Sequence, residues 1–262
     1  MKTFRLFCKS DAKSHDAKWK LQFALARAGF LPPADGRVPD LCIAIGGDGT
    51  FLRMVRECDF NPTIRYCGVN TGTLGFLQEI RTDEIDHLVA GLKQGKFTEH
   101  EIAVLGAQIN GEKKIKCFNE IIIRDKDMRI IKLEVRVDGV LTQRFAGDGM
   151  LVCTSAGSTG HNMALGGSVV PFILDTMQIT PIAPFNSIAY RSLTNPVIVP
   201  AAGTIDLVPM NRGGSVNVCA DGIVQVVDNF NKIQITLLKE RIKYIKMDTH
   251  PFWEKLNKKF IG

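Results

Sequence analysis

The chain has 262 residues, 45% hydrophobic and 23% charged, with a formal net charge of +6. This is the make-up of an ordinary soluble globular protein with room for one large core or two modest ones. No apolar run approaches the ~18 residues that cross a bilayer, so no membrane partner is expected. Two Trp and three Tyr, and basic residues clustered only at Lys113–Lys116 and Lys258-Lys259, argue against nucleic acid. A mildly basic surface suits a small polyanionic substrate instead. The seven cysteines are scattered, odd in number and never in a CxxC pair. That disfavours a disulfide framework and a zinc site, and a cytoplasmic setting is expected.

The first hundred residues alternate strand and helix signals. Phe4–Cys8 reads as a first strand, not a signal peptide. Ala12–Ala28 reads as a helix that buries Trp19, Phe23 and Ala26 on one face and stops at Gly29. Leu41–Ile45 is a short buried strand. It runs into Gly46-Gly47-Asp48-Gly49-Thr50, and a helix starts at Phe51–Glu57. Tyr66–Val69 is the next strand, leading into Asn70-Thr71-Gly72-Thr73-Leu74-Gly75-Phe76-Leu77. Thr82 precedes a helix over Asp83–Leu92. Such alternation predicts a parallel sheet.

The texture changes near Lys96–Glu101. Ile102–Ile109 and Lys114–Phe118 flank Asn110-Gly111. Leu133–Val137 and Val140–Phe145 flank Asp138-Gly139. Both read as hairpins with tight turns. Further strands are expected at Gly149–Thr154, Pro196–Val199, Thr204–Val208, Val216–Ala220, Ile223–Val227 and Lys232–Leu237. The expectation is an α/β domain over 1–98 and a β-rich domain over 99–244. The tail 245–262, with His250-Pro251-Phe252-Trp253, should pack back on the first domain to cover its aromatics.

Gly46–Thr50 is the most informative stretch. Its glycines let the backbone approach a ligand. A helix opening behind them offers free N–H groups and a positive dipole end to an anion. Gly46, Gly47, Gly49 and Thr50 are therefore candidate phosphate-binding residues. Asp48 at the mouth can accept a proton from an alcohol or organise a metal ion, a combination that suggests phosphate transfer to a hydroxyl. GxGxxG and GxxxxGK[ST] are both absent. The bland alternative is a capped strand-to-helix turn.

A second Gly-Asp-Gly, Gly147-Asp148-Gly149, leads through an apolar strand to Ser155-Ala156-Gly157-Ser158-Thr159-Gly160-His161-Asn162. Such a loop offers many donors with little bulk and suits a flat nucleotide; it also fits a plain surface loop. Asn119-Glu120, at the end of an expected strand, pairs an amide with a carboxylate that can hold an adenine edge and ribose hydroxyls.

Together with Gly166-Gly167 and Thr180-Pro181-Ile182-Ala183-Pro184, these segments resemble the NAD kinase family in order and spacing across about Leu41–Asp221. The Pro251-Phe252-Trp253 tail resembles the smaller Gram-positive bacterial members. The resemblance implies a Rossmann-like N-terminal domain and a β-rich C-terminal domain, with NAD in the cleft between them. It implies ATP as donor, with polyphosphate accepted by some relatives, and Mg²⁺ or Mn²⁺ arriving with ATP. It implies a homo-oligomer, tetramer or dimer.

By resemblance, Asp48 is the base for the adenosine-ribose 2′-hydroxyl, with Gly49 beside it in the substrate site. Asn119 and Glu120 grip the adenosine part, and Asp148 binds the nicotinamide half. Ser158, Thr159, Gly160, His161, Asn162 and Ala164 line the dinucleotide site, and Ala183 is a small residue on its wall. No residue is assigned as a metal ligand. The chain departs from the pattern at four places. Gly160-His161 stands for Ala-Tyr, Ala164 for Ser, Ala146 (still placed at the substrate) for Arg, and Ile223 for Gln. A lipid kinase of the diacylglycerol or sphingosine type and a non-catalytic dinucleotide sensor are the competing readings.

Overall fold

The computed structural model describes residues 1–72, 75–78, 80–186, 191–211, 213–247 and 251–261. Thr73, Leu74 and His250, named above, lie outside the described residues. The chain divides into two compact units. One is Met1–Glu101 with Arg241–Gly262; the other is Ile102–Glu240.

The first unit opens with β1 (Phe4–Cys8), α1 (Ala12–Arg27), β2 (Leu41–Gly46), α2 (Asp48–Glu57), β3 (Arg65–Asn70), β4 (Ile80–Arg81) and α3 (Ile85–Gln94). Strands β1, β2 and β3 pair in parallel, with Phe4 opposite Leu41 and Leu41 opposite Arg65; β4 adds in parallel to β3. All six residues of β2 are buried, as expected of a parallel strand covered on both faces. Leu21, Leu25, Leu88 and Leu92 from α1 and α3 pack with Ile43, Ile45 and Val69 on one face.

Two details of the helices correct the sequence expectations. In α1 the buried positions are Ser14, Ala17, Leu21 and Leu25, spaced at helical intervals. Trp19 and Phe23 face outward, 71% and 66% exposed, and Arg27 lies over the Phe23 ring. Helix α2 begins at Asp48, not Phe51, with Gly47 as its N-cap. The first turn tolerates Gly49 because its N–H groups have no intrahelical partner to lose.

The second unit carries most of β5 (Thr98–Ile109), then β6 (Lys113–Cys117), β7 (Glu120–Asp125), β8 (Ile131–Val137), β9 (Val140–Gly147) and β10 (Gly149–Thr154). After a 3₁₀ turn over Ala156–Thr159 come the one-turn α4 (His161–Ala164), β11 (Thr176–Ile182), β12 (Val197–Pro200), β13 (Ile205–Pro209), β14 (Val216–Ala220) and β15 (Ile223–Val227). Both hairpin turns form: Asn110 and Asp138 take φ of 51° and 52°, and β5/β6 and β8/β9 pair across them. A six-stranded antiparallel sheet runs β12-β11-β10-β7-β14-β15. Leu133, Val135, Phe145 and Leu207 from β8, β9 and β13 share one core with Ile121, Ile123, Val152 and Val218 from that sheet. Two inner faces meeting over one core is a sandwich arrangement.

The last strand, β16 (Ile233–Lys246), starts in the second unit, where Ile235 opposes Ile205, and ends in the first, where Lys243 opposes Arg65. In the first unit, α5 (Phe252–Phe260) sets Phe252 and Phe260 5.7 and 6.0 Å from Phe76, ring centre to ring centre. Trp253 stays 64% exposed.

Candidate active site

Gly46–Thr50 lies at the carboxyl end of β2, where open parallel sheets place ligands. The first turn of α2 points its free N–H groups there. Thr50 is buried, its hydroxyl packed against Gly46, while Gly49 is exposed. Asp48 is the first residue of the helix, where a carboxylate complements the positive dipole end. Its Oδ2 accepts from Phe76 N–H at 3.1 Å and its Oδ1 from Leu77 N–H at 3.0 Å. Those bonds fix the carboxylate and leave lone pairs on both oxygens. A Cβ on Gly75 would collide with Asp48 Oδ1. The carboxylate therefore packs against bare backbone. Gln78, fully buried, donates to Gly47 O at 2.8 Å and ties the same segment to the turn.

Sequence reasoning missed one cation here. Lys259 of α5 places Nζ 3.8 Å from Asp48 Oδ2 and 4.7 Å from the centre of the Phe76 ring. Nothing local in the sequence links a lysine near the end of the tail to a turn at residue 48.

In the second unit, Asn119 and Glu120 sit where β6 passes into β7. Asn119 Oδ1 and Glu120 Oε2 are buried acceptors without a hydrogen-bond partner. Buried acceptors without donors are costly in native proteins. Such acceptors are suited to ligand donors such as hydroxyls or an exocyclic amine. Burial, with Asp221 nearby as a second negative charge, pushes the Glu120 carboxyl up to about 7.

The residue that shapes this pair is Asp221, to which the sequence assigns no role. It adopts φ 46°. Its carboxylate accepts from Phe118 N–H and Asn119 N–H, each at 2.7 Å, and from the Cys117 thiol at 3.0 Å. The 3₁₀ turn closes the other side. Thr154 Oγ1 donates to Phe118 O at 2.7 Å and accepts from Gly157 N–H at 3.1 Å. A Cβ on Gly157 would run into the Asn119 carbonyl and Cα. Gly157→Ala is therefore expected to displace the Asn119 backbone. It should lower stability by about 1–3 kcal/mol, the usual cost of overpacking, which thermal denaturation will read.

The small-residue loop divides by role. Ser158 Oγ donates to Val170 O and accepts from Val170 N–H, both at 2.9 Å. Asn162 donates to Ser158 O and Ser168 O and accepts from Thr180 Oγ1 at 2.6 Å. These two side chains are committed to the loop itself. Thr159 is buried, while Gly160, His161 and Ala164 are exposed. The Cβ position of Gly160 lies 3.9 Å from Glu120 Oε2, so this edge of the loop adjoins the acceptor pair. Asp148 is exposed between β9 and β10, its N–H donating to Ile182 O at 3.0 Å. Ala146 is buried in β9, and its N–H donates to Ser192 Oγ at 3.2 Å. Ala183 is exposed with φ 45°.

Comparison with known proteins gives both units a family. The model described as ATP-NAD kinase N-terminal domain matches residues 7–97, and that described as ATP-NAD kinase C-terminal domain matches residues 118–247. An NAD kinase of Finegoldia magna is 34% identical over 272 aligned positions, covering 99% of this chain and 98% of that protein. An NAD kinase of Streptococcus pneumoniae is 32% identical over 267 positions, covering 100% and 97%. Among solved structures, yeast NADH kinase complexed with NADH superposes with a TM-score of 0.84 at 19% identity, covering 100% of this chain and 88% of that one. An NAD kinase from Archaeoglobus fulgidus in complex with ATP gives 0.77 at 23% identity, covering 98% of each. At those identities the two structures speak for the fold alone. The sequence matches run through both units, and with the glycine-rich turn inside the first match and the buried acceptor pair inside the second, the chain belongs to the NAD kinase family.

Proposed function

We propose that this chain transfers the γ-phosphoryl group of ATP to the 2′-hydroxyl of the adenosine ribose of NAD, giving NADP, with Asp48 as the general base. The observation that carries this reading is the placement of Asp48: first residue of α2, both oxygens oriented by backbone N–H groups, free lone pairs remaining. Phosphoryl transfer asks a protein mainly for positioning and charge stabilisation. Asp48 takes the proton as the hydroxyl oxygen attacks phosphorus. The N–H groups of the first turn of α2, at Gly47 and Gly49, hold phosphate oxygens. Lys259 adds positive charge next to Asp48.

Asn119 Oδ1 and Glu120 Oε2 accept hydrogen bonds from the adenosine part. Asp148, Thr159, Gly160, His161 and Ala164 meet the rest of the dinucleotide. His161 is exposed and presents a flat ring for stacking. Ser158 and Asn162 act from within, holding the loop in shape.

Among the described residues no cluster of three or more His, Cys, Asp or Glu side chains is arranged to hold a metal. Mg²⁺ and Mn²⁺ need no such cage, because substrate phosphates, water and one or two carboxylates suffice. A divalent ion arriving on ATP would fit here, held by substrate phosphates and water with Asp48 as a candidate carboxylate. Such an ion supplies charge neutralisation at the transferring phosphoryl group.

We also infer a cytoplasmic homo-oligomer, a tetramer or dimer. The seven thiols are unbridged, and no described helix is long and apolar enough to cross a membrane. Edge strand β15 exposes Ile223, Val224 and Val226 at 49%, 61% and 48%, an apolar row on an unpaired edge that suits a second copy. Val224→Lys is expected to lower the mass measured by light scattering toward that of the monomer; an unchanged mass would remove β15 from the interface.

The reaction is tested by incubating the protein with NAD, ATP and Mg²⁺ and detecting NADP with an NADP-specific dehydrogenase. Product establishes the kinase. Dinucleotide binding by calorimetry without product would favour the sensor, and neither would point to lipid alcohols. Repeating the assay with polyphosphate reads the donor range.

A further inference from the structure

On the face of the first unit's sheet that α2 covers, a second chemistry-bearing cluster lies away from Asp48. Cys42 is a buried residue of β2, and Cys58 caps the C-terminal end of α2. Their sulfurs are 3.6 Å apart, in van der Waals contact and about 1.5 Å beyond the ~2.05 Å of a disulfide. Arg5 stands opposite Cys42 in β1, and Tyr66 opposite it in β3. Cys58 opens onto a surface cleft of ≈ 300 Å³ whose lining includes Arg5, Arg37, Glu57 and Asn61. Cys42 has no such exposure: it is buried.

We propose that Cys58 and Cys42 form a reversible redox site, with Cys58 attacking a hydroperoxide and Cys42 resolving the product to a disulfide. The surroundings divide the labour between the two sulfurs. The two sulfurs share a hydrogen bond in which either can donate; with Cys42 as the donor it holds the Cys58 thiol below the ordinary range, and Arg5 and the Tyr66 hydroxyl assist against burial and Glu57. The same hydrogen bond, together with burial, pushes Cys42 up. Redox-active cysteines have this pattern: an accessible low-pKa thiolate beside a resolving thiol.

The Cys58 thiolate attacks the distal oxygen of hydrogen peroxide. An S–O bond forms, the O–O bond breaks, and hydroxide leaves and is protonated to water. Cys42 sulfur then attacks the Cys58 sulfenic acid. The S–S bond forms, the S–O bond breaks, and the hydroxyl departs as water with the Cys42 proton. Two thiols lose two electrons, and one peroxide becomes two waters. A dithiol reductant reverses the change.

The site has a consequence for turnover, which rests on the reading of Asp48 as the base. The ring closed by a 42–58 bridge contains the whole Gly46–Thr50 turn and all of α2. Closing a 3.6 Å gap to bonding distance draws the C-terminal end of α2 toward β2, and a rigid helix carries that displacement to Asp48 at its other end. Misplacement by about 1 Å can cost about 10²-fold in rate. Oxidation is therefore expected to lower turnover by about tenfold or more.

The test treats the intact, reduced protein with stoichiometric hydrogen peroxide, then counts thiols and maps peptides by mass spectrometry. The expected result is a loss of two of seven titratable thiols and 2 Da. A cross-linked peptide pair should contain Cys42 and Cys58, and turnover should recover after dithiothreitol. Cys42→Ser should leave a sulfenic acid on Cys58 that dimedone traps, and Cys58→Ser should show neither bridge nor adduct. A different cysteine pair, or a sulfenic acid that persists in the wild-type protein without a bridge, would overturn the site. A bridge that leaves turnover unchanged would overturn the switch. A reduced protein inactive with NAD and ATP would overturn the kinase reading alone, because the peptide map does not depend on it.

Discussion

Asp48→Asn is expected to lower kcat by about a thousandfold while leaving the Kd for NAD within about twofold. A positioned general base typically contributes ~10²–10⁴ in rate, and this variant removes the base with almost no change in shape. The amide oxygen can keep one of the two bonds from Phe76 and Leu77 N–H. Its NH₂ group cannot accept from the other N–H, so about 1–3 kcal/mol of stability is expected to go as well. Asp48→Ala frees both N–H groups and should reach the same kcat floor with a larger thermal shift. Stopped-flow turnover and calorimetry on both variants separate the two effects. A kcat within tenfold of wild type in the Asn variant would remove Asp48 as the base. An equal loss of NAD affinity would make it a binding residue. Lys259 sharpens the reading. It is about one-third exposed, its ion pair spans 3.8 Å and it lies over the Phe76 ring; a loss of kcat in Lys259→Ala without a drop in melting temperature reports charge next to the proposed base.

Much of the framework was legible because local chemistry decides it. Strand β2 announces itself as an unbroken apolar run ending in glycines, and the Asn-Gly and Asp-Gly turns fix two hairpins without tertiary information. What escaped depended on long-range packing. The two large aromatics of α1 were expected inside, yet Ala17, Leu21 and Leu25 make the buried stripe. Side-chain size predicts area, not side. Strand β7 was hidden because Glu120-Ile121-Ile122-Ile123 is covered on both faces and so lacks alternation.

The candidate site follows the same division. The residues proposed to carry chemistry stand in short motifs and could be named from sequence. Those that shape them could not. Asp221 reaches Asn119 N–H across 102 positions of chain, and Lys259 reaches Asp48 from the last helix. The hydroxyl of Ser158 and the amide of Asn162 belong to the right loop but serve its internal bonds.

Glu120→Gln is expected to give opposite signs in binding and in stability. The Glu120 carboxyl is held at about 7 in the folded protein against 4.5 for the free group, chiefly by burial and then by the charge of Asp221. Below pH 4.5 it is protonated in both the folded and unfolded states and contributes nothing. Between 4.5 and about 7 the folded state binds the proton more tightly, so stability falls as pH rises through that window and stays lower above it. At ~1.4 kcal/mol per pH unit the penalty above pH 7 is at most about 3.5 kcal/mol. Glutamine carries no charge to desolvate, so the variant should be more stable than wild type at pH 8, equal to it at pH 4, and flatter in between. NAD affinity should move the other way. Hydrogen bonds to a charged acceptor are worth about 1.5–3 kcal/mol, so KM for NAD should rise about 10–100-fold with a smaller change in kcat. Donors from the ribose favour the ionised carboxylate, so wild-type kcat/KM for NAD should climb from pH 6 to 8, and the variant should lose that rise. A glutamate kept only to support the fold would lower stability when replaced at pH 8 and leave KM alone. Denaturation midpoints and NAD kinetics across pH 5–8 on the two proteins decide between these roles.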